Sequence, residues 1–149
     1  NDPEYVANED YETRVLLEKA LVEWSTVVSA ALDSENQKVA RRINRTPLGE
    51  IEFWRERTTS LSALYEQIHM PKVQTMIEVL KIAEFSQLNT FHLFFGELTK
   101  LYMEAKDNVK YLSTLEKYTE VLYHGTPSQV TDMLPGLLNN IKMMITIAR

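Results

Sequence analysis

The chain has 149 residues, 44% of them hydrophobic and 25% charged, and a formal net charge of −5. This balance argues against disorder over most of the chain and makes nucleic acid a poor partner, and no run approaches the roughly 18 apolar residues of a helical membrane span. The absence of cysteine rules out disulfides, thiolate metal sites and a cysteine nucleophile, while four glycines and five prolines are too few for the turns of an all-β protein.

Residues 1–10 are acidic and polar, with Asp2, Glu4, Glu9 and Asp10 around Pro3, and are expected to form an irregular lead-in. Residues 11–32 read as a helix: Leu17, Leu21, Trp24, Val28 and Ala31 step by four and three, which gathers them on one side. Trp24 is the anchor of that stripe, since an indole buries about 150–250 Å². From Asp33 the periodicity breaks. D-S-E-N-Q-K reads as helix exit and loop, followed by Lys38, Arg41, Arg42 and Arg45 with no acidic residue among them. Residues 33–46 are therefore expected to be a basic, solvated linker. It lacks the interleaved aromatics that would stack bases.

Residues 46–70 carry the strongest helical signal. Thr46 is placed to cap and Pro47 to open the helix, and Ile51, Trp54, Leu61, Tyr65 and Ile68 fall on one face. Glu52, Arg55, Glu56 and Glu66 occupy the solvated face. Pro71 forces Met70 out of the helical region, so the chain either turns into an antiparallel hairpin or continues as a bent helix. Beyond it, Val73, Met76, Ile77, Leu80 and Ala83 form the next stripe.

Ser86 to Thr90 is a polar break, and Asn89 or Thr90 is a candidate cap. The longest helix is expected over residues 91–122, with Phe91, Phe94, Leu98, Leu101, Ala105, Val109, Leu112 and Leu115 in core register. Its broad apolar start, with Phe95 and Tyr102 beside the stripe, predicts more than one neighbouring helix. Gly96 costs this helix about 1 kcal/mol relative to Ala, to be offset by close helix approach. His124 and Gly125 end it, and Thr126, Pro127 and Gln129 form a capping-box start for a last helix. Pro135 and Gly136 predict a kink or a short turn there. The fold class is therefore all-α, about five helices in an extended bundle or stacked rod segment.

No catalytic constellation emerges. His69, His92 and His124 are far apart, without a second ligand at helical metal spacing. There is no glycine-rich phosphate cradle, and Glu50 and Glu52 face different sides of a helix. No cofactor and no metal are expected. The mid-pattern ends at Asn1 and Arg149 predict a piece of a longer polypeptide.

Several blocks resemble the N-terminal tail of dynein heavy chains, nearest to the axonemal branch. They are L-x-x-A-L-V-x-W-S at Leu17, E-I-E-F-W-R-E-R at Glu50, L-S-A-L-Y-E-Q at Leu61, P-K-V at Pro71 and E-A-K-D-N-V-K-Y-L-S-T-L at Glu104. The resemblance covers roughly residues 15–149, and so nearly all of a helical-bundle region over residues 11–149. It implies a non-catalytic stem segment of a microtubule motor, in the axoneme of a cilium or flagellum. Its partners would be other dynein heavy chains and intermediate and light chains, with no direct microtubule contact, no membrane and no nucleic acid. The motor's ATPase lies elsewhere in such a protein. Trp24, Ile51, Phe53, Trp54, Leu61, Leu64 and Tyr65 are assigned to core and inter-helix packing, and no contact residue is carried over. The competing reading is a free-standing helical adaptor that binds a partner's amphipathic helix.

Overall fold

Four of the six helices among the described residues of the computed structural model begin on a proline. The structure describes residues 2–42 and 46–148, and over these the elements are α1 (Pro3–Asn8), α2 (Tyr11–Ala40), α3 (Pro47–Ile68), α4 (Pro71–Ile82), α5 (Leu88–His124) and α6 (Pro127–Ala148). A proline at the first helical position gives up an N–H that has no intrahelical partner there, and its fixed φ suits the helix. That logic corrects the expected irregular lead-in. Pro3 opens α1 rather than blocking it, and the Asp2 carboxylate accepts from the Glu4 N–H at 3.1 Å. Val6 and Ala7 bury themselves beside Val79 of α4. Asp10 then caps α2, accepting from the Thr13 N–H at 3.2 Å and from its hydroxyl at 2.7 Å.

The expected linker is corrected too. α2 runs through Asp33 to Ala40, well past the anticipated exit at residue 32. Local composition favours a loop, but tertiary contacts of Glu35 hold the extra two turns. Residues 43–45, including Arg45 of the basic run, lie outside the described residues.

α5 is the spine. Its 37 residues span about 55 Å at 1.5 Å per residue. α2 and α3 both pack on it, two neighbours as the broad apolar start predicted, and α3 extends along it from Phe95 to Glu116. α3 runs antiparallel to it: Arg55 meets Glu116, while Tyr65 packs on Tyr102 and His69 on Phe95, nearer the α5 start. The shared core holds Leu21 and Val28 of α2, Leu61 and Ile68 of α3, Met76 and Leu80 of α4, and Phe91, Leu98 and Tyr102 of α5. Gly96 is not a close-approach site, for a Cβ there would meet nothing within 4 Å. α5 begins three residues earlier than expected, at the buried Leu88, so neither Asn89 nor Thr90 is its cap.

The joint at Pro71 is a break. Met70 is extended at φ −64°, ψ 144°, and α4 turns away to pack on α1 and α2. α4 ends in a Schellman turn. Glu84 sits in the left-handed region at φ 55°, its N–H donates to Lys81 O at 3.1 Å, and the Phe85 N–H donates to Leu80 O at 3.0 Å. Gly125 closes α5 because a Cβ there would lie 2.5 Å from the Val121 carbonyl oxygen. The capping box follows: Thr126 Oγ1 accepts from the Gln129 N–H at 3.2 Å, and Gln129 Oε1 accepts from the Thr126 N–H at 2.8 Å. α6 carries Pro135 inside one helix and packs, among the described residues, on α5 alone. There Asn140 donates to the Tyr118 hydroxyl at 2.9 Å.

Candidate functional site

The most heavily constructed polar region lies where the C-terminal end of α2, the first half of α3 and the middle of α5 meet. α2 brings Glu35, which continues the stripe of Val28 at a spacing of seven, with Lys38 one turn on. α3 brings Phe53, Trp54 and Arg57, and α5 brings Glu104. Arg42 reaches in just past the end of α2.

Glu35 and Arg57 are 2% and 4% exposed. Arg57 Nε donates to Glu35 Oε1 at 3.0 Å, and its Nη2 donates to the Glu35 carbonyl at 3.4 Å. Lys38 Nζ donates to the other Glu35 oxygen at 2.8 Å and to Ser60 Oγ at 3.2 Å. Glu104, about half exposed, lies 3.9 Å from Arg57 Nη1. The Arg57 guanidinium stands over the Phe53 ring at 4.9 Å and the Trp54 ring at 5.4 Å. Arg42 covers the same rings at 4.2 and 5.8 Å and pairs with Glu50. Phe53 and Trp54 meet edge to face, their centroids 5.0 Å apart.

Two buried opposite charges hold their place only if both are hydrogen-bonded. Here the three cations Lys38, Arg42 and Arg57 each face a carboxylate, so little net charge is left for an anionic ligand. The arrangement fixes the register of α2 against α3. It offers no nucleophile beside a base, and among the described residues no three His, Asp or Glu side chains gather to hold a metal ion.

The residues singled out from sequence divide between two places. Leu61 is buried in the main cluster, with Trp24, Leu64 and Tyr65 half-buried against it, and Ile51 is buried at 2%. Phe53 and Trp54 are half-buried under the two guanidinium groups. Glu35, Lys38, Arg42 and Arg57 were missed. The basic run was read as solvated, yet Lys38 is tied to Glu35 and the Arg42 side chain is only 12% exposed. Arg57 was legible as i+3 from Trp54 and i−4 from Leu61, inside the apolar stripe.

The sequence blocks also meet in space. From E-F-W-R-E-R, Arg57 faces Glu104, while Arg55 reaches Glu116 at 2.9 Å and Ser113 Oγ at 3.4 Å. Glu104 and Ser113 belong to E-A-K-D-N-V-K-Y-L-S-T-L. The family model "Dynein heavy chain, N-terminal region 1" matches residues 15–149. The chain belongs to that dynein family. Among its relatives, the dynein-1-alpha heavy chain of the flagellar inner arm I1 complex of Chlamydomonas reinhardtii is 40% identical over 142 residues, covering 94% of this chain. Human dynein axonemal heavy chain 10 is 36% identical over 141 residues, and the dynein gamma chain of the Chlamydomonas reinhardtii flagellar outer arm 32% over 140, each again covering 94% of this chain. The chain spans only 3% of the length of each of these relatives. Two dynein signature blocks thus face each other across α3 and α5, where Arg55 and Arg57 of one reach Ser113 and Glu104 of the other.

Proposed function

We propose that this chain is a non-catalytic stem segment of an axonemal dynein heavy chain. It acts as a scaffold for heavy-chain association and for attachment of intermediate and light chains, in the axoneme of a cilium or flagellum. The observation that carries this reading is the meeting of the two signature blocks. Arg55 and Arg57 of one block are spent on holding α3 against α5, through Ser113 and Glu104 of the other. The relatives' flagellar and axonemal names support the location. No direct microtubule contact is assigned to the segment.

Full-length heavy chain carrying Arg57→Ala with Glu35→Ala, purified from cilia through a tag, tests it. Loss of co-purifying heavy, intermediate or light chains, with ATP hydrolysis by the motor retained, is the expected result. Unchanged subunit composition together with lost hydrolysis refutes the scaffold reading.

A further inference from the structure

α2 has a second face that its neighbours leave partly uncovered. Two open hollows, of about 450 and 360 Å³, lie along it and share Val22. The first is floored by Val15 and Phe85, and the second reaches Phe94 of α5. Together they make one shallow groove from Val15 to Asp33, about 27 Å long at 1.5 Å per residue. Val22 remains 38% exposed, and Leu93, beside Phe94 in sequence, is 72% exposed.

The groove's charge is one-sided. Glu18, Glu23 and Asp33 line it against a single cation, Lys19. None of these four is held in an ion pair among the described residues. The polar remainder of the second hollow is Ser25, Thr26 and Ser29, small hydroxyl side chains that let another backbone approach. This differs from the region around Arg57, where every charge is answered. Unanswered carboxylates beside an apolar floor complement a helix that presents an apolar ridge flanked by lysine or arginine.

We propose that this groove docks an amphipathic helix with basic flanks, about five turns long, contributed by another polypeptide. The apolar ridge sits over Val22 between Phe85 and Phe94, and basic side chains reach Glu23 near the middle and Asp33 at one end. An anionic surface is disfavoured by the same carboxylates. The inference goes beyond the scaffold reading and is tested separately from it, because a peptide probe reads the groove whether or not subunit association is affected.

The probes are two labelled helical peptides of 18 residues with the same leucine ridge, one flanked by lysines and one by glutamates, titrated against the intact protein. The lysine peptide is expected to bind about tenfold tighter, with the difference shrinking as salt rises above ~0.15 M. Glu23→Lys with Asp33→Lys reverses the preference. Asp107→Lys with Glu120→Lys, an equal charge change on exposed positions of α5, leaves it in place and so separates the groove from the net charge. Equal affinity for the two peptides overturns the proposal, as does a preference unmoved by the groove substitutions. Self-association of the protein that Glu23→Lys with Asp33→Lys abolishes assigns the groove to a second copy and overturns it as well.

Discussion

Removing the Glu35 carboxylate strands Arg57 inside the protein. Loss of one partner from a buried ion pair costs about 3–5 kcal/mol. The cation–π contacts of Arg57 with Phe53 and Trp54 are present before and after, so they cancel. Glu104, 3.9 Å away and about half exposed, returns at most about 1 kcal/mol. Glu35→Ala is therefore expected to destabilise the protein by about 2–4 kcal/mol, or roughly 5–15 °C in Tm for a chain of this size. Arg57→Met is milder, because the stranded Glu35 keeps Lys38 at 2.8 Å. The double variant Glu35→Met, Arg57→Met lies within about 1 kcal/mol of the starting protein or above it, because two apolar side chains of similar length leave no charge to desolvate. Urea unfolding of the three variants, monitored by far-UV circular dichroism, gives the full cycle. A Glu35→Ala loss below about 0.5 kcal/mol, the range of ordinary surface substitutions, refutes the reasoning. A double variant that loses the sum of the two singles refutes it equally.

Three further outcomes follow from backbone and core geometry. Glu84→Gly is expected to raise stability by about 1 kcal/mol in the same denaturation assay, because a left-handed conformation strains a residue with a Cβ. Gly96→Ala is expected to stabilise by about 0.5–1 kcal/mol, since it adds helix propensity in open space, while Gly125→Ala destabilises because its Cβ collides with the Val121 carbonyl. The two alanine substitutions should therefore move the urea midpoint in opposite directions. Leu98→Ala, at a fully buried position, costs about 2–5 kcal/mol, whereas Leu138→Ala, at a site 64% exposed, stays within about 0.5 kcal/mol.

Much of this fold is written in apolar spacing. The Leu17, Leu21, Trp24, Val28 stripe and the Phe91, Leu98, Ala105 register are both core-facing, and the Thr126–Gln129 box closes as its residue types demand. Around the end of α2 the expectation fails because a polar residue does the work of an apolar one. Glu35 belongs to the α2 stripe by position but not by hydropathy, and its partner comes from a helix 22 residues away. The end of α2 and the burial of Arg42 therefore depend on contacts that local composition does not encode. The acidic residues around Pro3 suggest an irregular lead-in, although an Asp-Pro pair also matches a cap followed by a first helical residue. Glu84 gave no signal, for its left-handed turn is imposed by Phe85 packing back into the core with Leu80. The groove along α2 was illegible for a further reason: it exists only once Phe85 and Phe94 are brought beside Val22.

α5 does more than fill a core. Its first half is clasped on two sides, and its second half carries α6 beside the start of α3, whose Arg55 reaches Ser113 and Glu116. An uninterrupted helix is stiff along its axis, whereas α6 is held to it only by the two-residue connection at Gly125 and Thr126 and by one face, where Asn140 meets Tyr118. A sideways pull on α6 therefore bends the assembly at that corner before it disturbs the clasped end. The segment behaves as a rigid beam with a single jointed arm, and the joint's compliance is set by one glycine, one reciprocal pair of hydrogen bonds and the single face of α6 that rests on the beam.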